Sequence, residues 1–329
     1  MTLSLCIAGC GGYARSVLDA VSDMNDEFEF YFASRDEAKA REYCDTYDGA
    51  GYFCSYEEAA ADPRVEAMYF FTPHDMHLGN ARMAAGHGKH VLMEKPIART
   101  TEEAGRMIEA VESANVKLMV AENYRFLPAV ARTRELMDEG ELGELRLIQI
   151  YNEGIQTTSG WRTSLDSVGG GVFIDGGIHG VDILVNIGGL PDSVFALQPP
   201  KVNMQSEGED GMVMVAKLPD GGVGLINYSA ATAASESRQG VEVTFSKGVV
   251  RFDPFGVDLT VSTRDGERTE ALEDGRSGAL RAMLREFRDS IVESREPAMS
   301  ARDGLRDLAV VLAAYRSVAT SEEVGVESP

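Results

Sequence analysis

Lysine is scarce in this sequence of 329 residues, and so is positive charge. Only seven lysines occur, so arginine supplies most of the 31 basic side chains, which face 53 acidic ones for a formal net charge of −22. A chain this acidic offers no basic stripe to a phosphate backbone, so no nucleic-acid partner is expected. The same composition suggests a high-salt source, a hypothesis that loss of activity in molar salt would contradict.

Cysteine and long apolar runs are also scarce. Cys6, Cys10, Cys44 and Cys54 lack the paired spacing of a metal site and are too few for a disulfide scaffold, so we expect reduced, mostly buried thiols. No apolar run approaches the roughly 18 residues that span a bilayer. Residues 1–8 are apolar but short and have no basic leader, which favours a buried strand over a signal peptide. A cytoplasmic protein without a membrane partner is expected.

The length and the spacing of apolar runs predict two domains. In residues 1–122, short β-rich runs alternate with helical stretches, which indicates a doubly wound α/β domain with a parallel sheet. Residues 123–329 contain a helix from the glycines at 169–171 to about residue 187, and then several strands separated by turn signals. This pattern predicts an α+β domain with a large, mostly antiparallel open sheet. Closing helices at about 278–320 could return to the first domain, and residues 321–329 are expected to fray.

The five predicted strands of the first domain are residues 3–8, 28–33, 68–72, 90–93 and 117–121. A glycine-rich turn follows the first strand and opens a helix. Its glycines would let backbone N–H groups approach a pyrophosphate at the helix N-terminus, which is the arrangement of a dinucleotide-binding Rossmann fold. A tight turn without a ligand remains the alternative. The predicted cofactor contacts in this turn are Gly9, Gly11, Gly12, Tyr13 and Ala14.

The end of the second strand bears on the choice between NAD and NADP. An acidic residue there would normally hold the ribose 2′-hydroxyl of NAD. Here Ser34 can donate to a phosphate oxygen and Arg35 can pair with a 2′-phosphate, which favours NADP. Asp36 keeps NAD open, because a shift of one residue would place a carboxylate at the strand end.

Glu94-Lys95-Pro96 follows the fourth predicted strand, at a carboxyl end where open α/β sheets bind ligands. Pro96 could take the cis form and aim Lys95 inward, while Glu94 could orient the ammonium. This pattern suggests a catalytic lysine. A surface lysine before a turn proline is the alternative.

A second cluster lies in residues 169–182. On a helix, Asp175, His179 and Asp182 share one face, so a carboxylate could orient a histidine that exchanges protons near neutral pH. Glycine weakens a helix, so the glycines here indicate close approach of a ligand or of backbone. The alternatives are a core histidine bonded to a local carboxylate, a capped helix with solvated acids, and a metal site. No metal is expected.

Several short motifs, in this order along the chain, resemble the Gfo/Idh/MocA oxidoreductase family. They are Gly9 to Ala14, Thr72-Pro73-His74-Asp75-Met76-His77, Glu94-Lys95-Pro96, Asn123-Tyr124-Arg125, Trp161-Arg162 and Gly169 to Asp182. The resemblance covers nearly the whole chain and implies that Lys95, Asp175 and His179 correspond to the family's catalytic residues. It also implies cofactor contacts from Thr72, Pro73, His77, Glu94 and Lys95. His74 departs from the family's Thr-Pro-Asn pattern, which leaves one contact beside the nicotinamide undefined.

The resemblance implies hydride transfer between NAD(P) and a secondary alcohol or ketone of a sugar, cyclitol or related polyol. In this mechanism Lys95 bonds the reacting oxygen and His179, oriented by Asp175, removes its proton. Arg162 is the best residue for a carboxylate or several hydroxyls. The candidate substrate contacts are Asn123, Tyr124, Arg125, Trp161, Arg162, Asp175 and His179, and packing or a surface ion pair is the alternative for the first five of them. The open sheet would pair subunits as a homodimer or homotetramer.

Two other functions stay open from the sequence. One is a glycoside-cleaving enzyme that retains its cofactor and uses transient oxidation to drive elimination. The other is a non-enzymatic NAD(P) sensor that acts through a partner protein. The joint presence of Lys95, Asp175 and His179 argues against the sensor.

Overall fold

The computed structural model describes residues 1–233 and 237–327. The chain forms two compact units. The first unit contains Met1–Ala121 and Leu280–Leu305, and the second contains Glu122–Ala279 and the residues from Arg306 onwards.

The first unit alternates strands and helices along the chain. Its strands are β1 Leu3–Ala8, β2 Phe28–Ala33, β3 Gly51–Phe53, β4 Ala67–Phe70, β5 His90–Met93 and β6 Leu118–Val120. Its helices up to β6 are α1 Gly12–Ala20, α2 Glu37–Thr46, α3 Tyr56–Ala61, α4 His77–Gly86 and α5 Thr101–Ser113, with a 3-10 turn at His74–Met76. Among the described residues, six parallel strands form one sheet in the order β3-β2-β1-β4-β5-β6.

This sheet confirms the predicted doubly wound fold. Strands β4 and β1 are almost wholly buried, as expected when helices cover both faces of a parallel sheet. The strand order reverses beside β1, and ligands of such sheets bind at the carboxyl ends of the strands next to the reversal. The sequence did not predict β3, because a three-residue strand carries too little pattern to be recognised.

The second unit is built mainly from one sheet. Its strands are β7 Leu145–Glu153, β8 Ser193–Leu197, β9 Gly211–Lys217, β10 Val223–Ser229, β11 Arg238–Phe245, β12 Gly248–Phe252, β13 Asp258–Thr263, β14 Gly266–Ala271 and β15 Val324–Gly325. Its helices are α6 Pro128–Asp138, α7 Leu165–Val168 and α8 Ile178–Gly188, with 3-10 turns at Asn123–Phe126 and Gly160–Thr163. The closing helices are α9 Gly275–Val292 and α10 Ala301–Thr320, which cross the boundaries between the units.

The second sheet confirms the predicted open, mostly antiparallel architecture. In the described chain its order is β14-β13-β12-β11-β7-β10-β9-β8-β15, and β7 with β10 is the parallel pair. Side chains of β9 alternate between buried Met212 and Met214 and exposed Val213 and Val215, so one face is covered and the other is open. Helix α8 lies on the covered face, where Gly180 approaches Ile150.

The prediction that residues 321–329 fray is wrong for residues 324–326. Val324 pairs with Val194 and Gly325 with Ser193, so β15 extends the sheet beside β8. The N–H of Val326 also donates to the carbonyl of Asp192 at 3.0 Å. Two strand residues carry too little alternation to be recognised in a sequence. Residues 328–329 of the predicted tail lie outside the described residues.

The helix expected after the glycines is interrupted. Phe173–Gly177 forms a π-helix before α8 begins at Ile178. A π turn holds one extra residue, so the three-and-four spacing used to align Asp175 with His179 does not apply unchanged. The segment Leu165–Gly188 is also long and apolar enough to cross a membrane by composition, but 67% of its most apolar window is buried inside the protein, as in a core helix.

Candidate active site

The glycine turn after β1 has the shape of a phosphate cradle. Gly9 adopts φ +109°, and an added Cβ would lie 2.6 Å from the carbonyl oxygen of Phe71. Gly11 caps α1 without any side-chain hydrogen bond, and a Cβ added at Gly11 or Gly12 would meet no atom within 4 Å among the described residues. Open space above uncapped helix N–H groups fits the pyrophosphate of a dinucleotide.

Three residues that bear on the choice of cofactor follow the end of β2. Ser34 and Arg35 favour NADP, whereas the carboxylate of Asp36 favours NAD. Asp36 is the N-cap of α2, and its Oδ1 accepts from the N–H groups of Ala38 and Lys39 at 3.1 and 3.4 Å. Ser34 Oγ accepts from Asp36 N–H at 3.1 Å, which leaves the hydroxyl proton as a donor. Arg35 is exposed. The carboxylate therefore serves helix α2.

The peptide bond between Lys95 and Pro96 is cis, the form that the sequence allowed. The preceding Glu94 is buried and accepts a hydrogen bond from the hydroxyl of Tyr69 at 2.7 Å. On the neighbouring strand end, Thr72 Oγ1 accepts from Asn80 at 2.9 Å. The first of these bonds holds the side chain of Glu94, directly before the predicted catalytic lysine.

His77 packs against the backbone of this loop. It is completely buried, with Nε2 3.1 Å from the carbonyl oxygen of Thr72 and Nδ1 3.0 Å from that of Pro96. Burial, reinforced by the nearby His74, lowers the pKa of His77 to about 3. A neutral ring has one N–H, so it donates to one of these carbonyls and only touches the other. The cofactor contact predicted for His77 stays a prediction, and the bonds of its ring support the backbone at Thr72 and Pro96.

His179 lies in the first turn of α8 and is held by a carboxylate that the sequence did not identify. Its Nδ1 is 2.7 and 2.8 Å from the two carboxylate oxygens of Glu122, whose side chain is 1% exposed. Glu122 also accepts from Tyr124 N–H at 3.0 Å. An acceptor at Nδ1 keeps a proton there and places the lone pair of the neutral ring on Nε2.

Tyr124 packs against the imidazole of His179. Its ring stacks on His179 with centroids 4.2 Å apart and planes inclined by 12°, and its edge-on neighbour is Phe255 at 5.7 Å. Burial raises the pKa of the Tyr124 phenol, and the charge of Glu122 acts in the same direction. Tyr124 therefore remains neutral and acts as a flat support for His179.

Asp175, the aspartate expected to orient His179, forms an ion pair with Arg162 in the second unit. Asp175 Oδ2 accepts from Arg162 Nε at 2.8 Å, and the guanidinium of Arg162 lies 4.3 Å from the ring centre of Trp161. Arg162 was the best sequence candidate for a substrate carboxylate, but the ion pair with Asp175 already balances its charge. The orienting role predicted for Asp175 stays a prediction, and Glu122 is a second carboxylate that contacts His179.

Arg125 and Asp182 form an ion pair beneath the histidine. Arg125 Nε is 2.9 Å from Oδ1 of Asp182, which is fully buried. Burial raises the pKa of Asp182 to about 6, against the lowering effect of Arg125. Arg125, predicted to contact substrate, is therefore bound to the protein. Asn123, another predicted contact, is 1% exposed and its Nδ2 has no hydrogen-bond partner within the described residues.

Gly170 and Gly171, which precede Asp175, allow other parts of the chain to approach closely. A Cβ on Gly171 would lie 2.2 Å from the carbonyl oxygen of Glu209, and one on Gly170 would lie 2.5 Å from the hydroxyl of Tyr315. Glu209 accepts from the N–H groups of Val172 and Phe173 at 2.8 and 3.1 Å. The carboxylate of Glu209 therefore caps the start of the π-helix.

A small cavity opens beside His179 between α8 and the second sheet. The uncharged polar side chains of Asn152, Tyr228 and Gln239 contribute to its lining, together with Tyr124 and His179. It encloses about 20 Å³, which is room for about one water molecule. Gln156 donates to the Tyr228 hydroxyl at 2.9 Å, and burial raises the pKa of Tyr228 to about 12. These groups can donate and accept hydrogen bonds without charge.

A parallel sheet with a glycine cradle, and a second unit that presents an oriented histidine, define a dinucleotide-binding oxidoreductase. Residues 3–122 match the model of an oxidoreductase family with an NAD-binding Rossmann fold, and residues 130–251 match the GFO/IDH/MocA C-terminal domain. The chain therefore belongs to the Gfo/Idh/MocA oxidoreductase family. Either NAD or NADP fits the first unit.

Curated relatives align with most or all of the chain. It is 28% identical to 1,5-anhydro-D-fructose reductase of Ensifer adhaerens, over 83% of this chain and 84% of that one. It is also 28% identical to inositol 2-dehydrogenase of Rhizobium meliloti (99% and 100%), and 29% identical to D-xylose 1-dehydrogenase (NADP(+)) 2 of Haloferax volcanii (97% and 98%). A solved levoglucosan dehydrogenase in complex with NADH has the same fold, with a TM-score of 0.92 at 22% identity over 100% of both chains.

Proposed function

We propose that the protein oxidises a secondary alcohol of a sugar, cyclitol or related polyol, or reduces the matching ketone. The observation that carries the proposal is the contact of His179 with buried Glu122. The neighbouring cavity supports it, because amide and phenol groups bind hydroxyls and a single substituent of a sugar ring could enter a space of about 20 Å³. The named activities of the relatives on anhydrofructose, inositol and xylose favour the same class of substrate.

Nicotinamide, when bound, accepts or supplies the hydride. The task of the chain is to move the hydroxyl proton and hold the reacting oxygen. His179 receives the proton of the alcohol at Nε2, and Glu122 stabilises the resulting imidazolium through Nδ1. Lys95 stabilises the negative charge that develops on the oxygen. The ion pair between Asp175 and Arg162 positions the π-helix next to the substrate.

The experiment uses the whole chain with NAD⁺ and NADP⁺ and a panel of sugars and polyols, followed by absorbance of the reduced nicotinamide. His179→Asn and Lys95→Met should each lower kcat by about 100-fold or more. His87→Asn is the matched control, because His87 pairs with Glu57 on the surface of the first unit. Near-normal turnover in both site variants would contradict the assignment, and a panel without any turnover would contradict the proposed reaction.

NADP is the preferred cofactor in this proposal. Asp36 is engaged in capping α2, whereas the Ser34 hydroxyl proton and the exposed guanidinium of Arg35 remain as donors for a 2′-phosphate. Arg35→Ala should raise KM for NADP⁺ by about 10-fold and leave KM for NAD⁺ nearly unchanged. Arg41→Ala, a neighbouring exposed arginine on α2, is the control. Equal losses with both cofactors would contradict the preference for NADP.

The open face of the second sheet is proposed to pair with a second copy of the chain. Exposed apolar side chains cross three adjacent strands, β8, β9 and β10, and a self-complementary patch of this kind is the usual basis of a homo-oligomer. They are Phe195, Leu197, Val213, Val215 and Val223. Light scattering should give a dimer or tetramer that Val213→Lys with Val215→Lys dissociates, whereas Leu165→Lys, outside the sheet, should not. A monomeric wild type would contradict this proposal.

A further inference from the structure

Arg276 carries a buried guanidinium nitrogen in a strongly acidic chain. It lies in the first turn of α9, and its Nε is buried without a hydrogen-bond partner among the described residues. In the same part of the chain no ion pair involves Arg276. Leaving a buried guanidinium N–H without an acceptor costs free energy, so a ligand that supplied an acceptor there would be favoured.

The position of Arg276 connects it with the candidate active site. Its guanidinium lies 5.3 Å from the ring centre of Phe255, Phe255 packs edge-on against Tyr124 at 5.7 Å, and Tyr124 stacks on His179 at 4.2 Å. The positive charge of Arg276 also acts on the phenol of Tyr124. It lowers the pKa of this phenol and so opposes the raising effect of burial. Two aromatic rings thus separate this cation from the imidazole that exchanges the substrate proton.

The backbone around Arg276 is tied down, so the guanidinium is presented from a fixed base. The N–H of Leu272 donates to the carbonyl of Val257 at 2.6 Å, which joins the segment before α9 to the loop that carries Phe255. In that loop, Asp253 Oδ1 accepts from the N–H of Phe255 and from Gln239 Nε2, each at 2.8 Å. Asp253, the carboxylate of that loop, is therefore held by other donors.

Arg276 differs in this respect from the other arginines near His179. Arg162 is paired with Asp175 and Arg125 with Asp182, so both already have a carboxylate. A planar guanidinium that keeps its donors matches the geometry of a carboxylate or phosphate, and that of Arg276 lies 5.3 Å from the ring centre of Phe255.

We propose that Arg276 forms an anion subsite that binds a carboxylate or phosphate on the far end of a polyol substrate. The inference rests on the proposed function, since the same substrate would present its reacting alcohol to His179. It narrows the substrate class to sugar acids or sugar phosphates. The uncharged cavity beside His179 would then receive hydroxyl groups, while Arg276 would select the charged end.

The test compares matched sugars at fixed ionic strength: glucose, glucuronate and glucose 6-phosphate, with the intact chain and saturating cofactor. Wild type should favour one of the two charged sugars by about 10-fold or more in kcat/KM. Arg276→Gln should lower kcat/KM for that sugar by about 10–100-fold through KM, because a charge-assisted hydrogen bond is lost, and should change glucose by less than about 2-fold. Arg276→Lys should retain part of the preference. The carboxylate and phosphate arms distinguish the two anions.

Arg264→Gln is the matched control, since Arg264 is exposed in the turn between β13 and β14. Equal losses on glucose and on the charged sugars in Arg276→Gln, or no preference in wild type, would overturn the anion subsite. Calorimetric binding of glucuronate, glucose 6-phosphate and inorganic phosphate provides a readout independent of turnover. Binding that Arg276→Gln abolishes supports the subsite even if no sugar reacts, a result that would refute only the proposed function. Anion binding unaffected by the substitution, or no binding of any probe, would overturn the subsite itself.

Discussion

Glycines have opposite roles in the two units, since they leave open space in the first and allow close packing in the second. In the first unit, Gly11 and Gly12 leave space that no described atom occupies, above the N-terminus of α1. In the second unit, Gly170 and Gly171 make space that Tyr315 and Glu209 already fill. The first arrangement reserves room for a ligand, whereas the second brings remote parts of the chain together to hold the segment before Asp175. The same residue type thus marks a binding surface in one unit and an internal packing contact in the other.

The units also differ in how they fix their titratable groups. In the first unit, His77 contacts the backbone carbonyls of Thr72 and Pro96, which are 5 and 19 residues away along the chain. In the second unit, Glu122 and His179 are 57 residues apart. Local motifs can therefore describe the first arrangement, but the second depends on the whole fold.

Gly171→Ala should show the largest effect that separates the two kinds of glycine. The new Cβ would collide with the backbone carbonyl of Glu209, which cannot rotate away, so the free energy of unfolding should fall by about 3 kcal/mol. Urea unfolding followed by circular dichroism measures this. The control is Gly105→Ala on the exposed side of α5, where a Cβ meets nothing, and it should stabilise the protein by about 0.5–1 kcal/mol. Similar changes in both variants would contradict the contrast.

Glu122→Gln should lower kcat by about 100-fold, because the imidazolium of His179 loses its negative partner while the amide oxygen can still accept from Nδ1. The pH dependence of kcat should also shift, which a purely structural loss would not produce. Glu57→Gln, which removes the surface partner of His87, is the control. If kcat and its pH profile are unchanged in Glu122→Gln, the remote carboxylate does not serve catalysis.

Gly11→Ala tests the cradle in the first unit. Its Cβ would enter open space, so the unfolding free energy should change by less than about 0.5 kcal/mol, while the cofactor Kd should rise by about 10-fold because the methyl group occupies the place of a phosphate. Fluorescence titration with NADPH measures the affinity. A variant that binds normally would show that the space above α1 is not used by the cofactor.

Asp36→Ala should have the smallest effect. Loss of the two bonds that cap α2 should lower the unfolding free energy by about 1 kcal/mol. The ratio of the NADP⁺ and NAD⁺ affinities should stay the same, because the carboxylate serves the helix. Asp36→Asn, which can still cap α2, should restore stability. A selective loss of NAD⁺ affinity in Asp36→Ala would instead assign this carboxylate to the ribose.

Much of the fold could be predicted from the sequence, because its signals are periodic and local. Strands β1, β2 and β5 were predicted with the bounds that the structure has, since each is a short apolar run beside a turn. Strands β3 and β15 were not, because two or three residues carry no detectable period. The π-helix before α8 was missed for a different reason: the chemistry of its residues is compatible with an ordinary helix, and the extra residue is imposed by packing.

The chemistry of the site was harder to predict. Lys95 and His179 stood out through their motifs, but Glu122 looked like the end of a domain, and Arg276 lay in no motif. Their roles depend on which side chains meet across the fold. A carboxylate directly after a strand of the first sheet, followed by Asn-Tyr-Arg, was the available signal for Glu122.

The pairing of β15 with β8 places the last strand of the sheet along an edge that would otherwise expose unpaired N–H and C=O groups next to Phe195 and Leu197. Removing residues 323–329 would leave that edge open to another extended chain, which is a common route to aggregation.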